Sequence, residues 1–279
     1  MILPAARCVF AWLALAAVGG AAAQNESDLA RRSTVEFISA DARALPLPLK
    51  SGIEFSGADI RATQADDFAN PGMLWVTRGE KLWREPAGGQ SKSCASCHDD
   101  AAISMKGAAT RYPLLDPGTA RLLNLEGRIL QCRERRQLAE PFKYESDELL
   151  ALTAYVRLQS RGMPVNVTID WQNRKHFEAG RKIYYRRIGQ LNLSCAQCHQ
   201  DNWGKKLGPE TLSQGHGNAY PIYRLEWQTM GSLHRRFRTC FSAMRAEMLP
   251  HGAPDYLDLE LFMAWRAGGL PIETPGVRR

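Results

Sequence analysis

The chain has 279 residues, 44% of them hydrophobic and 23% charged, with a formal charge of +7. Those fractions are ordinary for a soluble protein, and the length allows two domains with real cores. No run of basic residues carries interleaved aromatics, which sets nucleic acid aside; a mildly basic surface suits acidic partners or small anions instead.

Residues 1–23 read as a secretory signal. Arg7 is the only positive charge before an apolar run from Cys8 to Val18, and Ala21-Ala22-Ala23 offers a cleavage site before Gln24. The run is too short to span a bilayer comfortably, so no membrane span is expected in the mature form. Residues 24–70 form an N-terminal extension in which Leu45 to Gly52 is extended and Asn70-Pro71-Gly72 is a turn. Little regular structure is expected there, and the segment should wrap the first domain or meet a partner.

In 71–164 the pattern predicts a helix from Thr77 to about Arg84. A second, from about Thr119, carries Leu125, Ile129 and Cys132 on one face. A terminal helix is capped by Ser146, with Asp147 and Glu148 in its first turn and Leu149, Leu152 and Val156 as its buried stripe. Residues 165–174 are a linker whose Val165 to Trp171 stretch is β-prone. Residues 175–279 repeat the plan. A helix from about Thr229 to Leu249 has Leu233, Phe237, Cys240 and Met244 on one face, and a helix starting at Asp255 runs through Arg266.

One five-residue pattern occurs twice, as Cys94-Ala95-Ser96-Cys97-His98 and Cys195-Ala196-Gln197-Cys198-His199. Cys-x-x-Cys-His attaches a c-type haem: two thiols three positions apart reach the two vinyl carbons of a porphyrin, and the His offers a ring nitrogen to the iron. A zinc site would more often want a further Cys-x-x-Cys or His-x-x-x-His in the same module, and none is present. Four cysteines, Cys94, Cys97, Cys195 and Cys198, thus hold two covalent haem c groups, with His98 and His199 as iron ligands.

The repeat is larger than the motif. At an offset of 101 residues Gly79-Glu80-Lys81-Leu82-Trp83 falls on Gly180-Arg181-Lys182-Ile183-Tyr184. Tyr112-Pro113 matches Tyr220-Pro221, and a Cys follows each Pro by 19 residues, Cys132 and Cys240. The second half has seven extra residues between His199 and Tyr220, and both halves end Gly-x-Pro, at Gly162 and Gly269. The expected fold is mainly α: two tandem cytochrome c domains related by internal duplication, with a largely irregular N-terminal extension.

Cys132 and Cys240 could form one disulfide, be inert core thiols, or each be the second ligand of its own haem. Cytochromes usually place His or Met opposite the proximal His. Met105 sits too close behind the first motif; His216, His234, Met230 and Met244 are conceivable in the second half. Cys is the only ligand-competent residue at the same aligned place in both halves. His234 lies six residues before Cys240, about 240° around a helix, so it reads as a surface or second-shell histidine. The expectation is His/Cys ligation of both irons, with low reduction potentials because thiolate favours ferric iron.

Arg236 stands four residues before Cys240, on nearly the same helix face, where a guanidinium would lower the thiol pKa and offer a fork to an oxyanion. Arg128 has the same relation to Cys132, so spacing does not say which half is catalytic.

These residues resemble the SoxA family, dihaem cytochrome c subunits of the periplasmic SoxAX complexes of bacterial thiosulfate oxidation. The resemblance runs from about Lys50 to the C-terminus. It is carried by Lys50-Ser51-Gly52, Asn70-Pro71-Gly72-Met73-Leu74-Trp75, both haem motifs and Arg236-Phe237-Arg238-Thr239-Cys240. It implies an L-cysteine S-thiosulfotransferase in the periplasm that joins thiosulfate oxidatively to a cysteine of a sulfur-carrier protein, SoxYZ. Two electrons pass through haem to a monohaem heterodimer partner, SoxX, and on to a soluble cytochrome c. It further implies that Cys240 becomes a cysteine persulfide and forms the covalent intermediate, that Arg236 binds the substrate anion, and that Cys132 ligates the first haem. Arg238 is a further candidate for holding thiosulfate by charge-assisted hydrogen bonds. The rival readings are a thiosulfate dehydrogenase forming tetrathionate, a plain dihaem electron carrier, and a dihaem peroxidase; six-coordinate thiolate haems argue against the last.

Overall fold

The computed structural model describes residues 48–279. The secretory signal and the first part of the extension lie outside them.

Two pairs of crossed helices organise the chain. Met73–Arg84 packs against Asp147–Leu158, and Arg174–Tyr185 against Pro254–Arg266. Each crossing is closed by a glycine. A Cβ on Gly79 would sit 2.1 Å from the Ala151 carbonyl oxygen, and one on Gly180 would sit 2.0 Å from that of Asp258. Only hydrogen fits where the backbones touch, which is why these two aligned glycines recur. Around the second crossing Phe177, Tyr184 and Phe262 are fully buried, with ring centroids 5.3 Å apart along Phe177–Phe262 and Tyr184–Phe262. Each such ring contributes about 1.5–3 kcal/mol of burial.

The first helix begins at Met73, four residues before the expected start, because the Asn70 turn runs straight into it: the Asn70 side-chain oxygen accepts from the Gly72 N–H at 2.9 Å. The helix expected from Thr119 instead spans Leu125–Cys132. Its N-cap is Asn124, whose side chain accepts from the Gly127 N–H, while Leu122–Leu123 pairs antiparallel with Leu114–Leu115. Likewise the helix placed from Thr229 is Leu233–Ala243, capped by Ser232. Thr229–Gly231 is a strand paired with Ile222–Arg224. In both halves a short strand takes the residues that local propensity would lend to the helix. Ser146 caps its helix as expected, accepting from the Leu149 N–H, and Pro254 opens the last helix at its first turn, where a missing N–H costs nothing.

Residues 48–70 are more regular than expected. They hold a 3-10 turn at Gly52–Phe55 and a helix at Ala58–Ala65. They pack on the second half: the Lys50 N–H donates to Gln214 Oε1 at 2.8 Å, and Gln64 Oε1 accepts from the Val277 N–H at 2.9 Å. The final strand Gly276–Arg278 joins Ile222–Arg224 in parallel and completes a three-stranded sheet. The Val165 stretch forms no strand. Its start pairs with the other Gly-x-Pro: Val165 N–H donates to Leu270 O at 2.9 Å and Ile272 N–H to Met163 O at 2.9 Å.

An apolar cluster runs from Val76 and Trp83 through Leu150 to Met230, Leu270 and Ile272, so residues of both halves meet in it. A small cavity of about 30 Å³ lies between them, lined by Tyr112, Glu126, Thr153 and Arg157 from one side and Tyr220 and Glu260 from the other. His234 belongs to this junction and not to the surface. It is 1% exposed, its Nδ1 accepts from the Gly252 N–H at 3.0 Å, and its Nε2 lies 3.0 Å from Glu260 Oε2. Its place on the helix, pointing away from Cys240, agrees with the helical-wheel argument, and its burial excludes the surface alternative.

Candidate functional site

Each Cys-x-x-Cys-His forms a short helical turn after the first helix of its half, Ala95–His98 and Cys195–His199. The second is fixed by a reciprocal cap. Ser194 Oγ accepts from the Gln197 N–H, and Gln197 Oε1 accepts from the Ser194 N–H at 2.8 Å. Each Cys that follows Tyr-Pro comes back on the Leu125–Cys132 or Leu233–Ala243 helix to face the turn of its own half. Burial, and then the nearby Cys240 thiol, push Cys195 up to about 12 and raise Cys198. Burial and then Cys132 push Cys94 up to about 11. All six cysteines among the described residues are free, and Cys132 does not pair with Cys240.

The residues fit a covalent haem. His199 Nδ1 is 2.8 Å from the Ser213 carbonyl oxygen, which accepts its N–H and leaves Nε2 bare for a metal. Burial lowers its pKa to about 4, so the ring is the neutral donor an iron needs. Gly215, at φ +77°, lets the backbone pass so close that a Cβ would lie 2.7 Å from the His199 ring. Ser213 and Gly215 fall in the stretch that the second half lengthens by seven residues. The first half lacks this cover: His98 is exposed, and Trp83 stands beside it with ring centroids 5.8 Å apart while its Nε1–H donates to Asp99 O at 3.0 Å.

The two arginines that spacing could not separate have different surroundings. Arg128 Nη2 is 2.9 Å from Asp116 Oδ1, and Nη1 donates to Gln131 Oε1 at 2.5 Å. Hydrogen bonds from Thr119 and Gln131, reinforced by Arg128, hold the Asp116 carboxyl well below the usual range, so this pair stays ionised and closed. Counted from the aligned Tyr-Pro, the place of Asp116 in the second half is taken by Arg224, which is 6% exposed. Arg236 therefore has no acid at that position and forms no ion pair among the described residues. The Cys240 thiol is the largest influence on it and raises its pKa, and the Tyr220 hydroxyl acts in the same direction. Arg238 donates one N–H, from Nη1, to the Leu249 carbonyl oxygen.

Sequence reasoning left Asp116, Arg224, Ser213 and Gly215 without roles. The aligned Tyr-Pro was the signal for the first two, since three residues after its Pro an acid in one half is matched by a base in the other.

This arrangement, two thiols and a histidine on one turn with a further thiol returning from a capped helix, defines a c-type cytochrome. The family model described as SoxA/TsdA, cytochrome c domain, matches residues 78–165. The L-cysteine S-thiosulfotransferase subunit SoxA of Pseudaminobacter salicylatoxidans is 45% identical over 230 residues, covering 82% of this chain and 80% of that protein. The subunit of the same name from Paracoccus pantotrophus is 40% identical over 82% of this chain and 78% of its own. The crystal structure of SoxXA from P. pantotrophus superposes with a TM-score of 0.80 at 39% identity, covering 83% of this chain and 87% of that one. The chain belongs to the SoxA family of L-cysteine S-thiosulfotransferase subunits, cytochromes with covalently bound haem c.

Proposed function

We propose that the chain is the dihaem subunit that conjugates thiosulfate to a carrier-protein cysteine, with the second half as the catalytic centre. One thiol and one thiosulfate dianion give a thiosulfonate-capped cysteine, two electrons and one proton. Cys94 and Cys97 would hold the first haem with His98 and Cys132 as iron ligands, and Cys195 and Cys198 the second with His199 and Cys240. When bound, the haems supply a one-electron sink. Cys240 presents the sulfur that reacts, as a persulfide, which would split one difficult step into two. Arg236 holds the dianion beside it by charge-assisted hydrogen bonds.

The observation that carries this assignment is the contrast at the arginines. The guanidinium beside Cys132 is closed by Asp116, whereas the one beside Cys240 forms no ion pair among the described residues: Arg224 stands where the acid would be and itself pairs with Glu226, and Glu226 and Glu210 act on Arg236 only after Cys240 and Tyr220. An anion site needs the second arrangement. The helix crossings, Tyr-Pro turns and capped ligand helices that recur in order support an internal duplication, with domains at 71–164 and 175–279 joined by 165–174. The SoxXA crystal structure supports a SoxX-like monohaem partner in a heterodimer. Among the described residues no helix is long and apolar enough to cross a membrane; the signal pattern at 1–23 is what supports a periplasmic protein. SoxYZ as the carrier and a soluble cytochrome c as acceptor complete the reading.

A product analysis tests it. The haem-loaded protein, with its monohaem subunit, is given thiosulfate and oxidised cytochrome c with and without the carrier. Turnover only with the carrier, and an adduct on the carrier cysteine, is the expected result. Tetrathionate formed without a carrier would make the protein a thiosulfate dehydrogenase, and no turnover in either case would make it an electron carrier.

A further inference from the structure

Each helix that returns a thiol toward the haem-attachment turn of its half starts on a cap held from the other half. A capping box would close with an acceptor side chain three residues after the cap. Leu233–Ala243 has Arg235 at that place, a donor only, and its guanidinium lies 4.4 Å from the centre of the Trp227 ring. Leu125–Cys132 has Gly127 there, with no side chain at all. A carboxylate from across the junction holds each cap instead. Glu145 Oε1 accepts from the Ser232 N–H at 2.9 Å, and Glu145 Oε2 accepts from the Ser232 hydroxyl at 2.5 Å. In the other direction Asn124 Nδ2 donates to Glu260 Oε2 at 3.0 Å and to the Tyr144 hydroxyl at 2.6 Å.

The clamp on Ser232 leads directly to Arg236. Ser232 is buried, its Oγ accepts from the Arg235 N–H at 3.2 Å, and its carbonyl oxygen accepts from the Arg236 N–H at 3.3 Å. One residue therefore joins Glu145 to the backbone of Arg236, and Cys240 follows one turn later. Glu145 belongs to the first half, yet its partners are in the second: Ser232, and His251 with Nε2 3.7 Å away. Its backbone is held at φ +69°, in the left-handed region that a residue with a Cβ rarely adopts. Such a conformation persists only where its surroundings over-determine it. Beside it the Tyr144 ring is stacked between the His234 and His251 rings, with centroids 5.3 and 5.8 Å apart. Tyr144-Glu145 is a wedge from the first half, seated against the start of the helix that carries Arg236 and Cys240.

We propose that Glu145 is a positioning residue for the thiosulfate reaction: from the first half it fixes the first turn of the Leu233–Ala243 helix, and so the place of Arg236 beside Cys240. This rests on the reading that the second half is the catalytic centre. An uncapped first turn frays, because its N–H groups have no partner inside the helix. Arg236 lies at the end of that turn. Its guanidinium has to be preset to meet the dianion, since every arrangement that misses the anion lowers the fraction of productive encounters. The carboxylate removes that freedom by holding both the N–H and the hydroxyl of the cap. It acts through Ser232 and not on the thiol. The first half thereby contributes a residue to the geometry of a site that lies in the second.

The test compares Glu145→Ala and Glu145→Gln in the haem-loaded heterodimer, each with Arg236 intact and with Arg236→Ala. In carrier-dependent cytochrome c reduction at equal haem content, Glu145→Ala lowers kcat/KM for thiosulfate about tenfold, the scale of a lost helix cap. Glu145→Gln keeps an oxygen for the Ser232 N–H and loses about threefold. In the Arg236→Ala background the same changes cost less than about twofold, because the residue they misplace is gone. A purely structural role would cost the same in both backgrounds, and that result overturns the proposal. So does a wild-type kcat/KM in both single variants. Hydrogen exchange gives a readout free of turnover. The amides of Arg235 and Arg236 exchange about tenfold faster in Glu145→Ala, while those of Gly127 and Arg128 stay within about twofold. Unchanged exchange at Arg235 and Arg236 overturns the clamp. If the wild type conjugates no thiosulfate, the functional reading fails by itself, and the exchange contrast decides whether Glu145 fixes the helix. If Glu145→Ala loads haem poorly, the near-isosteric Glu145→Gln carries the comparison.

Discussion

Replacing Arg236 with Ala separates the two halves most directly. The guanidinium sits beside Cys240, half-buried and in no ion pair among the described residues, so a thiosulfate dianion is the counter-ion it would meet. Truncation removes charge-assisted hydrogen bonds worth about 1.5–3 kcal/mol in total. At 1.36 kcal/mol per decade this is a loss of roughly 10- to 150-fold in kcat/KM for thiosulfate. Partial exposure screens the charge and favours the lower part of that range. Arg236→Lys keeps the charge but loses the planar fork, and falls between the two. The matched control is Arg128→Ala. There the lost partner is Asp116, so the change lowers stability and leaves kcat/KM within about twofold of wild type. The assay is thiosulfate-dependent reduction of cytochrome c in the presence of the carrier, at equal haem content. A wild-type rate in Arg236→Ala would refute the reasoning, and so would an equal loss in Arg128→Ala.

Three further outcomes follow from particular contacts. Burial, and then the neighbouring Glu260 carboxyl, raise Glu126 from 4.5 to about 7, so the folded protein binds a proton there that the unfolded chain has released. Stability therefore falls as pH rises from about 4.5 to 7, by roughly 3 kcal/mol at most. Glu126→Gln should remove that slope and be the more stable protein at pH 8 but not at pH 4; parallel urea titrations at the two pH values check it, and an unchanged slope would rule it out. Gly180→Ala drives a methyl group into the Asp258 carbonyl and should cost about 1–3 kcal/mol, a fall of roughly 3–10 °C in Tm, seen by calorimetry. Finally, mass spectrometry of the peptide containing Cys240 should show one additional sulfur in part of the protein; only the bare thiol in active preparations would eliminate the persulfide step.

What could be read in the sequence was what local chemistry fixes. Two Cys-x-x-Cys-His turns need only five residues each, and Ser146 caps its helix with atoms three residues away. The equal spacing from Tyr-Pro to Cys132 and Cys240 marked the return of a thiol in each half. The helix starts were misread at Thr119 and Thr229 because a strand partner elsewhere in the chain, Leu114–Leu115 or Ile222–Arg224, claims those residues before the cap at Asn124 or Ser232. Helical spacing puts His234 on the face away from Cys240 but leaves a surface and a second-shell position both open, since its burial depends on Glu260 from a helix that the sequence does not show to be adjacent.

The sequence by itself determined the class of chemistry, the number of haem attachments and the thiol that returns to each, because those rest on residue types at short separations. Tertiary structure decided which arginine is available. Asp116 closes Arg128 from a turn twelve residues away, and Arg224 stands at that place in the other half. It also decided that Arg266 is buried against the Tyr184 ring and is not the exposed end of a helix. Charge is a property of a residue, but its effect is set by what surrounds it. A counter-ion or a water-free wall is supplied by distant parts of the chain, and only the fold brings them together.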